Sequence, residues 1–148
     1  MSLKRSGNPL PSGRGAVKTD TLRPLVDTLK VLAHPVRLRI LALLQGGELC
    51  VCEVAEVLGL APSTVSEHLT GLRRTGLVRE RKVGRWVHVA LADGATSRPL
   101  LDSLWPLLAG AEAGWAKDRV QARALHCQTC EPAGCSTYTP ELSLPHHP

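Results

Sequence analysis

Two short amphipathic segments meet at Gly59-Leu60-Ala61-Pro62, and this junction constrains the chain more than any other feature. Before it, Val51, Val54, Ala55 and Leu58 share one helical face; after it, Val65, Leu69 and Leu72 do the same. Gly59 suits a helix C-terminus and Pro62 the first turn of the next helix, so the spacing predicts two helices joined by a tight turn. The second helix carries Ser63, Thr64, Ser66, Glu67, His68, Thr70, Arg73 and Arg74 on its outer face, the pattern of a helix-turn-helix. Directly after it, "LVRERKVGRWVHVAL" alternates on either side of Val83-Gly84-Arg85, which predicts a two-stranded hairpin with a basic tip. Helices followed by such a hairpin make a mainly α, winged-helix fold.

The flanks complete the organisation. Residues 1–20 are rich in glycine and proline and predict a flexible arm. Leu22, Leu25, Val26, Leu29 and Leu32 recur at helical spacing, with Pro24 expected in the first turn. A second helix is expected from Pro35 to about Gln45, ended by Gly46 and Gly47. A last helical region is expected from about Pro99 to Leu125, kinked or restarted at Pro106. The winged-helix domain then spans residues 21–125, and 126–148 form a flexible, cysteine-containing tail.

Charge and cysteine usage narrow the function. From Ser63 to Leu91, six basic residues (Arg73, Arg74, Arg79, Arg81, Lys82, Arg85) face two acidic ones (Glu67, Glu80), a surplus of four within a chain whose net charge is +5. Positive charge concentrated on a helix-turn-helix and its hairpin points to double-stranded DNA. No apolar run approaches the roughly 18 residues of a membrane span, and the N-terminal charges are not followed by an apolar block, so a cytoplasmic protein is expected. There thiols stay reduced, and five cysteines clustered in two places suggest metal binding or redox sensing rather than a disulfide framework. No general base lies at a recognisable spacing from a nucleophile, so an enzyme is not expected.

"LKVLAHPVRLRILALL", "GELCVCEVAEVLGL" and "STVSEHLTGLRRTGLVRERKVGRWVHVAL" closely resemble the ArsR/SmtB family of winged-helix metal-sensing repressors over about residues 21–95. The "ELCVCE" box resembles the arsenic-responsive branch. The resemblance implies a homodimer, formed through the first and last helices, that represses a metal-resistance operon and leaves its inverted-repeat operator when metal binds. Two departures stand out. Ala55 occupies the position of the third cysteine of well-known arsenic sensors, and the last helix, with Leu104 two residues after Asp102, lacks the zinc-type ligand set. Cadmium sensors of the family share the Cys-x-Cys box but add an N-terminal cysteine, and none precedes Cys50.

The chemistry can be stated residue by residue. Soft thiolates favour soft ions, so Cys50 and Cys52 are the expected ligands for trivalent arsenic or antimony as inducer. Residues two apart point roughly 200° apart in a helix and to one side in extended backbone, so the pair can share an ion only if the segment around Val51 is non-helical. A helix N-terminus is also expected to ease thiolate formation. Alternatively, both cysteines are small buried hydrophobes. Cys127, Cys130 and Cys135 could bind a soft ion alone or supply the missing third ligand. Alternative signals for the same fold are cadmium, lead or zinc, or an oxidant or persulfide. On the DNA side, Ser63, Thr64, Ser66 and His68 match the contacting positions of the family the chain resembles, where they are expected to meet phosphates or base edges. Arg73 and Arg74 are expected at the backbone, with Arg81, Lys82 and Arg85 at the adjacent minor groove or its phosphates.

Overall fold

The computed structural model describes residues 19–110, 117–122 and 124. In chain order it contains α1 (Thr19–Leu32), α2 (Pro35–Leu44), β1 (Leu49–Cys50), α3 (Val51–Leu58), α4 (Pro62–Arg74), β2 (Val78–Val83), β3 (Trp86–Leu91) and α5 (Ser97–Ala109). Residues 117–122 are again helical. The expected arm and tail lie outside the described residues, except that α1 already begins at Thr19.

The core is aliphatic, as a sequence without phenylalanine requires. Ile40, Leu41, Leu43 and Leu44 of α2 meet Leu49, Val54 of α3, Val65, Leu69 and Leu72 of α4, Val89 of β3 and Leu101 of α5. Each fully buried leucine or valine contributes about 1.5–3 kcal/mol of burial. His34 opens α2 from extended backbone, its Nδ1 accepting the Val36 N–H at 3.2 Å, while Pro35 occupies the first turn. Gly59 closes α3 at φ +65°, a left-handed conformation that glycine adopts without strain, and Leu60 N–H returns to the Ala55 carbonyl at 3.0 Å. This turn sets α4 against α3.

Three expectations need correction. The wing is not an isolated hairpin: β2 and β3 pair around the Gly84-Arg85 turn, and β1 joins β3 on its other side, giving an antiparallel sheet of order β1-β3-β2. Two residues are too few to show alternation, which is why β1 left no periodic trace. Pro24 lies inside α1 rather than in its first turn, because the helix starts earlier than the apolar repeat. Of the two outcomes expected at Pro106, a kink or a restart, the restart does not occur: α5 runs through Pro106 to Ala109. Trp115, expected on the last helix, lies outside the described residues.

The 117–122 segment is fastened to α2 by charge. Arg39 donates from Nε and Nη2 to Asp118 Oδ2, at 3.0 and 2.7 Å, and Asp118 is buried. On the outside, Leu22, Leu25, Val26 and Leu29 of α1 are each about half exposed, as are Leu107 and Val120 to a greater degree. Among the described residues no helix is long and apolar enough to cross a membrane.

Candidate ion and nucleic-acid interface

Cys50 is the last residue of β1 and the N-cap of α3, with extended backbone (φ −80°, ψ 154°); Val51 is the first helical residue. The break from helical geometry that the pair requires is therefore at Cys50 and not at Val51. The two thiols are near enough that the Cys52 side chain helps to raise the Cys50 thiol. Cys50 is buried and Cys52 exposed, so the pair spans the protein boundary.

The turn is locked by Glu53. Its carboxylate, itself buried, accepts the Cys50 backbone N–H at 2.6 Å, and the Glu53 N–H points back at the Cys50 sulfur. The return contact is the weaker half, because sulfur is a poor acceptor. This is a capping box in which cysteine stands for serine or threonine. The spacing Cys50-x-x-Glu53 carries that signature in the sequence, and Glu53 is a functional candidate that reading the cysteines alone overlooked.

The expectation of an easily formed thiolate fails at Cys50. Burial pushes its thiol up from 9.0 to about 11, and the Glu53 carboxylate and the Cys52 side chain add to the rise. The lowering by the Glu53 backbone N–H, the effect expected of a helix N-terminus, is outweighed. Among the described residues no third His, Cys, Asp or Glu joins the two thiols in a group able to hold a metal ion. Cys127, Cys130 and Cys135 lie outside the described residues. The donor set therefore fits two bonds to a soft ion, with the third still to be supplied.

On the other side of β1, Cys50 lies opposite His88 of β3, and His88 lies opposite Arg81 of β2. His88 is buried, and its Nδ1, 3.5 Å from Glu48 Oε1, makes no hydrogen bond. Glu48 also receives the Arg81 guanidinium at both Nε and Nη2, and this contact raises the arginine above its ordinary value. Neither Glu48 nor His88 was a sequence candidate; the two-residue strand that brings them together gave no signal.

α4 carries most of the residues expected to face DNA. Ser63, Ser66, Arg73 and Arg74 are exposed, while Thr64 and His68 are half-buried. Ala61, the N-cap of α4, offers no side chain to cap the first turn, which leaves amide N–H groups beside Ser63 and Thr64 suited to a phosphate. Arg73 is held by Glu80 at 2.5 Å and Arg81 by Glu48, so two of the expected contacts are braced by carboxylates. Arg85 lies 5.0 Å over the Trp86 ring at the tip of the wing, near exposed Lys82. Arg74 turns instead towards α1, lining a groove of about 390 Å³ with Asp20, Asp27 and Thr28. His68 rests 4.6 Å from the His34 ring; burial, then His34 and Arg37, hold its imidazole below the ordinary value. Arg37 also sets how closely α4 seats, since a Cβ on Gly71 would come within 3.3 Å of its Cζ.

A helix-turn-helix on an aliphatic core, with a basic three-stranded wing at its side, defines a winged-helix DNA-binding protein. The model of the bacterial regulatory protein arsR family matches residues 34–80. The arsenical resistance operon repressor of Escherichia coli K12 is 39% identical over 83 residues, covering 54% of this chain and 71% of that one. The SmtB homolog of Synechocystis, a transcriptional repressor, is 40% identical over 74 residues, covering 50% of this chain and 56% of that one. Among solved structures, the homodimeric winged helix-turn-helix domain of Mb0332 from Mycobacterium bovis superposes with a TM-score of 0.56 at 31% identity, covering 67% of this chain and 90% of that one. The chain belongs to the arsR family, whose members are DNA-binding transcriptional regulators and not enzymes.

Proposed function

We propose that the chain is a cytoplasmic, homodimeric repressor whose 21–125 unit, between arms 1–20 and 126–148, holds an inverted-repeat operator and releases it when trivalent arsenic or antimony engages Cys50 and Cys52. The observation that carries this reading is the extended backbone at Cys50, which breaks the helix between the two cysteines and sets both at the N-terminus of the helix packed against α4. A soft trivalent ion there supplies sulfur affinity strong enough to displace the thiol protons. Drawing the buried Cys50 sulfur out towards Cys52 and a shared ion pulls on the turn that the Cys50–Glu53 contact holds, so the first turn of α3 is strained and α4, packed against it, loses support. Cys127, Cys130 or Cys135, from either protomer, is the candidate third ligand. The half-exposed leucines of α1, together with Leu107 and Val120, are the surface that a second copy covers. Ser63, Thr64, Ser66, His68, Arg73, Arg74, Arg81, Lys82 and Arg85 make up the DNA-contacting set.

The test is arsenite titration of the reduced protein on a fluorescent duplex selected by the protein from a random pool. Release at stoichiometric arsenite, lost in Cys50→Ser and Cys52→Ser variants that still bind the duplex, supports the reading. Release by cadmium and not arsenite, or by peroxide with reversal by dithiothreitol, would replace the inducer and keep the fold.

A further inference from the structure

The capping box gives the thiol pair a route to α4. It gives none to the wing, where Arg81, Lys82 and Arg85 lie. The sheet supplies a second route. Cys50, His88 and Arg81 occupy one rung across β1, β3 and β2, and cross-strand partners on one rung point to the same face. Glu48, just ahead of β1, reaches over that face to Arg81, with His88 Nδ1 at 3.5 Å from the same carboxylate.

We propose that Glu48 is a positioning residue that reports the state of the Cys50–Cys52 pair to the wing, by holding Arg81 of β2 across His88 of β3. The inference rests on the ion-sensing reading above. Three observations carry it. Glu48 is covalently two residues from Cys50 and its side chain is only 10% exposed, so it moves with β1 and not with solvent. The Arg81 side chain is 46% exposed: the carboxylate takes Nε and Nη2 and leaves the remaining N–H groups free for a phosphate. β1 is bound to β3 through two residue pairs, so a shift at Cys50 that breaks this short ladder moves Glu48 as well. With Glu48 gone from its place, Arg81 loses its orientation, and His88 keeps a buried nitrogen without a hydrogen bond that could hold the strands in register. Glu48 and Arg81 therefore belong to the resting, DNA-holding arrangement.

The experiment uses the reduced full chain, sodium arsenite and the selected duplex. In the wild type, arsenite raises the duplex Kd at least tenfold; in Glu48→Gln the rise falls below threefold, while arsenite still protects Cys50 and Cys52 from iodoacetamide. Arg81→Gln, at an exposed position, gives the same reduced rise, and the double variant no further loss. An independent signal is the Arg81 Nε–H resonance: present in the ion-free wild type, lost on arsenite, and absent from ion-free Glu48→Gln. Full arsenite release in both single variants, with the resonance unmoved by arsenite in the wild type, overturns the relay and leaves the sensing reading intact. A wild type that binds the duplex and ignores arsenite overturns the sensing reading and the relay with it.

Discussion

Glu53 Oε2 accepts the Cys50 backbone N–H at 2.6 Å from inside the core, so a single buried carboxylate holds the turn on which both thiols sit. The charge is stabilised there by an amide at a helix N-terminus, and the amide has no alternative partner in water.

Glu53→Ala removes this cap. Stability should fall by about 1–2 kcal/mol, the usual value of an N-terminal cap. Glu53→Gln, which keeps an acceptor, should lose less. In both, Cys50 should react faster with iodoacetamide relative to Cys52 than in the wild type, followed by mass spectrometry of the two modified forms of their peptide. An unchanged ratio would show that Glu53 does not guard the thiol.

The raised Cys50 thiol makes stability pH-dependent in the alkaline range. The folded chain holds the proton to about pH 11, whereas the unfolded thiol gives it up near 9.0. Its contribution is therefore complete below pH 9 and is lost as pH rises towards 11, on the order of 2 kcal/mol. Urea unfolding of wild type and Cys50→Ser, compared between pH 8.5 and 11, should show the wild type losing more stability than the variant.

His68 titrates in the opposite sense. The fold disfavours its imidazolium through burial and through His34 and Arg37, so its share of stability is present above pH 6.5 and is lost as pH falls through the depressed value. Proton NMR of the ring should give a midpoint below 6.5 in the free protein. Adding the duplex should move it upward, since a nearby phosphate favours the charged ring. A midpoint that does not respond to the duplex would take His68 out of the DNA-contacting set.

The Arg39–Asp118 pair should tie the 117–122 helical segment to α2. Asp118→Asn keeps the volume and removes the charge, and should cost about 1–3 kcal/mol with faster amide exchange across 117–122. Arg39→Ala should cost a similar amount by leaving the carboxylate unpaired, and the double variant should cost less than the two combined.

Much of the fold could be read directly from residue spacing. Val65, Leu69 and Leu72 are the buried residues of α4, and Gly84 sits at the turn of the wing with φ +58°. These signals are local and periodic. What escaped was non-local or too short to repeat: β1, the Glu48–Arg81 contact over 33 residues of sequence, and the burial of Glu53. The thiol pair itself was legible as Cys-Val-Cys, but its electrostatics were not. A helix N-terminus promotes thiolates only when solvent can share the charge, and the burial of Cys50 at the end of β1 removes that help.

A strand of two residues is held by two residue pairs and by the burial of Leu49, worth about 1.5–3 kcal/mol. The segment bearing Cys50 can open at that cost while α2 and α4 stay folded, and such partial openings occur in resting proteins far more often than global unfolding. Under the proposed sensing role, the threshold for a thiol-seeking signal then depends on the few neighbours that hold that short segment down. Substitutions at Glu48, Glu53 or His88, each altering the opening equilibrium by a fraction of the total stability, could retune sensitivity across orders of magnitude without touching a ligand or a base contact.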